Sequence, residues 1–233
     1  MTGDVVSGAS LDALAPPAPA EVVGERVDAL RARIAAAGRD PRTIRIVAVT
    51  KGYRVDAVHA ALAAGLTDIG ENRAEELLAK AAVVAVPCWH YLGAIQRRRV
   101  GRLAPVVGMW QTVARAAEGA AIAAHAPGAA VLVQVDPTAT PGHNGCALDE
   151  VPAVVAALRA LALDVRGLML LAPRAPGDRV RATMRSVAEA ASALGLGEVS
   201  MGMTDDLDEA LAEGTTMVRI GRGLFDWQVP RPV

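Results

Sequence analysis

Cysteine is scarce in this sequence, and its scarcity excludes disulfide-rich proteins and cysteine-ligated zinc proteins. The 233 residues contain two cysteines, Cys88 and Cys146, which form neither a disulfide framework nor a metal-ligand spacing. We therefore interpret both as free thiols of a reducing compartment. An excess of one charge is also absent, since 24 basic residues face 25 acidic ones and the pI is about 6.4. No strongly charged partner, such as nucleic acid or an anionic membrane, is indicated.

Long apolar runs are missing as well. The alanine-rich segment 116–126 contains Glu118 and His125 and ends at a Pro-Gly pair, so it is too short to span a bilayer. The first 20 residues lack a basic start and include Ala-Pro-Pro-Ala-Pro-Ala, which predicts a disordered leader over residues 1–20 rather than a signal peptide. We expect a cytoplasmic protein in which residues 21–233 form a single domain.

The sequence does contain a regular alternation of short apolar runs and helical segments. An amphipathic helix comes first, because Val23, Val27, Leu30 and Ile34 recur at helical spacing before Gly38. Strands are predicted around Ile46, Ile69, Tyr91, Val107, Val133, Val165, Val199 and Val218. Helices are predicted over residues 55–64, 74–82, 96–103, 113–125, 148–161, 179–194 and 206–213. This α/β pattern predicts parallel strands, and its eight units favour a (β/α)8 TIM-type barrel over an open doubly wound sheet.

Unusual residues follow the predicted strands, at the edge where α/β folds bind ligands. Lys51 follows the first strand, and residues 70–72, 89–93, 200–203 and 219–223 lie at the ends of four others. Lys51 has two interpretations: a solvated charge that closes the strand, or a partly desolvated amine that forms a Schiff base with an aldehyde. Its position alone favours the solvated charge, so the choice between the two interpretations depends on the residues after the other strands.

The loops after the seventh and eighth strands have the composition of a phosphate site. The first contains Ser200 and Gly202, and the second contains Gly221, Arg222 and Gly223. Glycines let backbone amides approach an anion closely, although helix capping and chain turning explain the same residues equally well. No Walker-type motif occurs, so we expect a small phosphate ester rather than a nucleoside triphosphate.

Three further candidates have structural alternatives. Arg219 ends the eighth strand, where it either bonds a ring nitrogen or a carboxylate of a ligand or forms a salt bridge with a rim acid such as Glu71. His90 lies in an aromatic strand, where a histidine is more often a hydrogen-bonded core group than a ligand contact. Met201 and Met203 are typical of core packing and also suit the wall of a flat ring.

Six segments in one order resemble the pyridoxal phosphate homeostasis protein family. They are residues 47–51 (Val-Ala-Val-Thr-Lys), 70–72 (Gly-Glu-Asn), 89–96 (Trp-His-Tyr-Leu-Gly-Ala-Ile-Gln), 167–169 (Gly-Leu-Met), 200–206 (Ser-Met-Gly-Met-Thr-Asp-Asp) and 218–221 (Val-Arg-Ile-Gly). The resemblance extends over residues 22–225. It implies an alanine-racemase-type barrel (fold type III) that binds pyridoxal 5′-phosphate (PLP) covalently through the lysine after the first strand, here Lys51.

The same resemblance implies the other cofactor contacts. These are Asn72 and His90 beside the ring, Arg219 at the pyridine nitrogen, and Ser200 with the backbone of Gly221 and Arg222 at the phosphate, with Met201 and Gly202 as further contacts. An arginine does not accept the pyridinium proton, so the resemblance implies a weaker electron sink than a site with a carboxylate at that nitrogen.

The chain departs from the family pattern in four places. Residues 94–99 read Ala-Ile-Gln-Arg-Arg-Arg where the family usually has Pro-Leu-Gln-Ser-Asn-Lys, and residues 141–145 read Pro-Gly-His-Asn-Gly where it usually has a lysine. Positive charge is kept, but amines able to form a Schiff base are lost. Arg222 replaces a usual Thr and Asp226 a usual Gly, and we expect the Arg222 guanidinium to point toward the phosphate.

Three functions follow from these residues. The favoured one is a non-catalytic, monomeric PLP-binding protein that holds the cofactor on Lys51 as a Schiff base and stores it or delivers it to apo-enzymes. The alternative is a PLP-dependent amino-acid racemase, which needs a second acid/base opposite the lysine; neither Tyr53 nor Tyr91 provides it by position. A sugar-phosphate isomerase would need a carboxylate beside the phosphate, for which Glu71 is the candidate.

Overall fold

Eight parallel strands close into a barrel in which each strand pairs with its neighbours in sequence and the first pairs with the last. A computed structural model describes residues 11–84, 88–138, 144–173, 175 and 177–228. The strands are β1 (Arg45–Val49), β2 (Asp68–Glu71), β3 (Cys88–Tyr91), β4 (Val107–Val113), β5 (Ala130–Val135), β6 (Asp164–Leu170), β7 (Glu198–Ser200) and β8 (Met217–Ile220). The predicted TIM-type barrel and all eight predicted strand positions are confirmed.

Helices surround this barrel. They are α1 (Ala20–Ala36), α2 (Asp56–Ala63), α3 (Ala74–Ala81), α4 (Arg97–Leu103), α5 (Ala116–His125), α6 (Val151–Ala160), α7 (Gly177–Ala193), α8 (Leu207–Ala212) and α9 (Arg222–Phe225). The helix predicted over 148–161 begins as a 3-10 turn, Leu148–Glu150, and the one predicted over 113–125 begins later because Val113 belongs to β4. No helix in the described part of the chain is long and apolar enough to cross a membrane.

The strands are buried on both faces and therefore serve two apolar cores. A small core fills the inside of the barrel and consists of Val47, Met109, Ala130, Leu132, Met169 and Met217. A larger core lies between the strands and the helices. β5 is buried at every residue, which explains its continuous apolar sequence. Both cysteines are free, as predicted, with Cys146 buried and Cys88 exposed.

The predicted disordered leader is wrong over residues 11–20. Ala15 donates its amide to the Gly52 carbonyl at 3.0 Å, and Ala18 is buried and donates to the Phe225 carbonyl at 2.8 Å. The prolines cannot form a regular ladder, but the alanines between them keep amides that pair with the barrel rim. Residues 1–10 lie outside the described residues, and the single domain over 21–233 stays a prediction.

Candidate functional site

A cavity of about 380 Å³ opens at the carboxyl ends of the strands. This volume lies within the usual range for small-molecule sites. Among its lining residues are five of the predicted cofactor contacts: Lys51, Asn72, Arg219, Gly221 and Arg222. Strand ends separated by up to 171 positions in the chain therefore meet at one mouth, as barrel geometry requires.

Lys51 projects from a tight turn at the end of β1. Tyr53 donates its amide to the Thr50 carbonyl at 3.1 Å, and Gly52 at the third position of the turn has φ +77°. Only glycine adopts that backbone conformation readily, so the turn is of the type II kind. The Lys51 side chain is exposed, not partly desolvated as the Schiff-base interpretation expected. It also borders a second cavity of about 460 Å³, which Tyr53 and Trp227 help to line.

Arg219 lies at the cavity with its guanidinium fixed by three acceptors. It donates to the Ser200 carbonyl, the Ser200 hydroxyl and the Leu170 carbonyl, each at 2.8 Å. Burial lowers the pKa of Arg219 to about 10, so the side chain is a cation at neutral pH. The alternative salt bridge with Glu71 is not formed, because Glu71 pairs with Lys80.

Ser200 and His90 lie behind Arg219 in a hydrogen-bonded chain through the barrel. The Ser200 hydroxyl donates to Gln111 Oε1 at 2.7 Å, and Gln111 Nε2 donates to His90 Nδ1, also at 2.7 Å. The ring hydrogen of His90 is then on Nε2, which donates a hydrogen bond to Asp68 at 2.9 Å. Both side chains are fully buried and neither lines the cavity, so His90 matches its structural alternative.

His90 also belongs to a group of possible metal ligands at the opposite end of the barrel. Its Nε2, an Asp68 oxygen and the Cys88 sulfur lie within 4.8 Å of one another. Nε2 has no lone pair free for a metal, because it donates its proton to Asp68. We assign no metal site to these described residues.

Met201 faces away from the cavity. Its side chain is buried in the outer core, because Ser200 and Met201 are adjacent in an extended segment and point to opposite faces. The interpretation that Met201 walls a flat ring is therefore wrong, whereas Met203 does line the cavity. Gly202 between them has φ +95°, and its carbonyl accepts the Arg219 amide at 2.9 Å. A Cβ at Gly202 would lie 2.5 Å from the Ala210 Cβ.

Two groups at the rim have polar atoms suited to a ligand. Asn72 Oδ1 is buried without a hydrogen-bond partner among the described residues, although it borders the cavity. Such an acceptor is costly to leave unpaired unless a ligand donor or water reaches it. Arg222 is exposed and pairs with Asp205 at 2.9 Å across the cavity edge.

Sequence reasoning missed several contributors to this site. Thr204 lines the cavity, and its hydroxyl accepts the Gly223 amide at 3.3 Å. Gln111 links Ser200 to His90, and Lys80 is buried under the Lys51 turn. The loop with His143, predicted as a departure from the family pattern, lies outside the described residues.

Comparisons with known proteins agree with the geometry. A family model described as the alanine racemase N-terminal domain matches residues 26–227. A pyridoxal phosphate homeostasis protein of Deinococcus radiodurans is 40% identical over 203 residues, which cover 84% of this chain and 95% of that protein. The chain belongs to the pyridoxal phosphate homeostasis protein family. A second family member, from Pseudomonas aeruginosa, is 36% identical and covers 88% of this chain and 94% of its own length.

A solved structure of a similar protein has the same barrel fold as this homeostasis-family chain. PipY of Synechococcus elongatus, solved with PLP bound, has a TM-score of 0.76 and 28% identity, covering 87% of this chain and 99% of that one. The family resemblance and the alanine-racemase-type barrel are therefore confirmed.

Proposed function

We propose that this protein binds PLP as a Schiff base on Lys51 and holds it for storage or for delivery to apo-enzymes. One observation carries the proposal: of the two lysines in the sequence, the exposed one lies at the cavity, while Lys80 is fully buried and paired. The solved structure of the relative PipY with PLP bound supports the same cofactor.

The residues around the cavity fit PLP. Lys51 offers the amine, Arg219 offers a fixed cation, and Asn72 Oδ1 is an acceptor in need of a donor. Gly221 packs closely against the end of β1, since a Cβ there would lie 3.1 Å from the Val49 carbonyl oxygen. Gly221 and Arg222 border the cavity, and we assign the phosphate to this edge of it. When bound, PLP supplies an aldehyde that condenses with a neutral lysine amine and releases one water.

We propose that the protein is a carrier rather than a racemase. The titratable residues among the described lining of this cavity are Lys51, Asp205, Arg219 and Arg222, and Asp205 is exposed and paired. None of them is a free acid/base to oppose the lysine. Tyr53 borders the neighbouring cavity and packs against Phe225 with ring centroids 5.5 Å apart. Glu71 is fully buried, which removes support for the isomerase.

The carrier proposal is tested by absorbance and transfer. Protein purified with PLP should show a visible band that borohydride abolishes, and Lys51→Ala should lose it. Lys51→Arg keeps the charge and controls for electrostatic retention of the phosphate. An unchanged band and cofactor stoichiometry in Lys51→Ala would refute the proposal. Activation of an apo-enzyme by the loaded protein tests delivery, and racemisation of amino acids that Tyr53→Phe abolishes would favour the alternative.

We further propose a monomer located in the cytoplasm. The free thiols support a reducing compartment. Sedimentation equilibrium should give the chain mass of 24.0 kDa, and a mass that is a multiple of this value would contradict the monomer.

A further inference from the structure

Lys80 is buried directly beneath the turn that carries Lys51. Its side chain is 0% exposed, and its ammonium donates to the Thr50 carbonyl at 2.7 Å. It also forms an ion pair with Glu71 Oε1, which accepts the Thr50 hydroxyl at 2.8 Å. Lysines are rarely buried to this degree unless they are paired. A lysine held in this way cannot meet an aldehyde in the cavity, so its role must be different from that of Lys51.

Helix α3 holds the peptide groups on both sides of Lys51. The carbonyl before it, that of Thr50, accepts the hydrogen bond from Lys80. The amide after it, that of Gly52, donates to Glu76 Oε2 at 2.7 Å. Glu76 precedes Lys80 by four residues, so one face of α3 supplies both contacts.

The two acids of this cluster have opposite pKa shifts. Burial raises the pKa of Glu71, and the ammonium of Lys80 opposes that rise. Burial acts in the same direction on Glu76, but the Gly52 amide, Arg73 and Lys80 together bring the pKa of Glu76 below its ordinary value. Glu76 is therefore a carboxylate at neutral pH and a strong acceptor for the Gly52 amide.

We propose that Lys80 and Glu76 are positioning residues that fix the backbone of Lys51 so that its amine is presented to the cavity. This inference rests on the proposed function, in which Lys51 attaches PLP. The lysine side chain has four rotatable bonds, so a small rotation of the turn moves the amine by a larger distance. A misplacement of about 1 Å can slow a reaction roughly a hundredfold.

The chain offers a matched control for Glu76. Glu118 on α5 accepts the Ala114 amide at 2.7 Å and pairs with Arg115 at 2.9 Å, as Glu76 does with Gly52 and Arg73. It holds the loop after β4 and does not line the cavity. Glu76→Leu and Glu118→Leu therefore remove the same amide and arginine contacts from different loops, and Glu76→Leu also removes the 3.7 Å ion pair with Lys80.

The experiment compares wild type, Glu76→Leu, Glu118→Leu and the double variant Lys80→Met/Glu71→Gln. The double variant removes both buried charges, which protects folding, while the amide oxygen that Glu71→Gln introduces still accepts the Thr50 hydroxyl. The rate of PLP attachment is followed by absorbance and by borohydride trapping at Lys51. Hydrogen exchange of the Gly52 amide, measured without PLP, reports on the turn itself.

We expect attachment to be slower by about tenfold or more in Glu76→Leu and in the double variant, with faster Gly52 exchange in Glu76→Leu. Glu118→Leu should keep the wild-type attachment rate even if it is less stable. Unchanged attachment in both α3 variants, or equal slowing in Glu118→Leu, would overturn the positioning role. Wild type that attaches no PLP to Lys51 would instead refute the proposed function, and the positioning role with it.

Discussion

Loss of the buried ammonium of Lys80 should be among the most destabilising single changes in this protein. Lys80→Met removes one partner of an ion pair in which both side chains are 0% exposed. The Glu71 carboxylate would remain buried, with the Thr50 hydroxyl as its donor. Breaking a buried pair in this way costs about 3–5 kcal/mol of unfolding free energy. For a chain of this size the melting temperature should fall by roughly 6–20 °C.

The cost of Lys80→Met should depend on pH. Burial raises the pKa of Glu71 in the folded state while Lys80 opposes the rise, so removal of the ammonium leaves that pKa higher still. A carboxyl with a raised folded pKa destabilises the fold as pH rises through that pKa, and does so least below its unfolded pKa. At acid pH Glu71 is protonated and the wild type loses the pair as well. The difference between the two proteins should therefore be small below the unfolded pKa of a glutamate and should increase as pH rises through the raised folded pKa of Glu71.

Urea unfolding of the wild type, Lys80→Met, Glu71→Gln and the double variant forms a double-mutant cycle that measures this effect. Adding Glu71→Gln to Lys80→Met should recover most of the lost stability, because no buried charge then lacks its partner. A cost below about 1 kcal/mol for Lys80→Met would refute the reasoning, since burying an unpaired carboxylate costs more than that. Failure of Glu71→Gln to rescue would refute it too, because the loss would then arise from packing rather than charge.

Two further predictions concern other residues. Gly202→Ala should cost about 1–3 kcal/mol of unfolding free energy, because the residue has φ +95° and the new Cβ would lie 2.5 Å from the Ala210 Cβ. The control is Gly197→Ala, because Gly197 has open space around it. Equal losses of stability in the two variants would contradict the steric reason. Burial raises the pKa of the Cys146 thiol to about 11, so it is protonated at neutral pH. Mass spectrometry should show slow alkylation of the buried Cys146 by iodoacetamide in the native protein and fast alkylation in urea, and rapid native alkylation of Cys146 would be inconsistent with this environment.

The fold was predictable because its strand and helix signals are local in the sequence. Strands covered on both faces read as short apolar runs, as in β5, and the runs alternate with helical periodicity. Residues 11–20 were mispredicted because their order comes from Gly52 and Phe225, which are distant in sequence. A proline-rich segment gives no local sign of such partners.

The sequence predicted where the site lies better than it predicted where the side chains of the site point. Lys51, Asn72 and Arg219 meet because the carboxyl ends of barrel strands converge. The alternation of strand side chains could have separated Ser200 from Met201, since neighbours point to opposite faces. Lys80 could not be assigned in advance, because its contact with Thr50 depends on how α3 is rotated against the barrel.

Peptide mapping by mass spectrometry tests the central claim most directly. The protein is incubated with PLP, reduced with borohydride, digested and mapped. Because the sequence has two lysines, the possible attachment points are Lys51, Lys80 and the terminal amine. We predict one reduced PLP on the peptide that contains Lys51 and none on the peptide that contains Lys80. PLP on Lys80 or the terminal amine in place of Lys51, or no covalent PLP at all, would contradict the account.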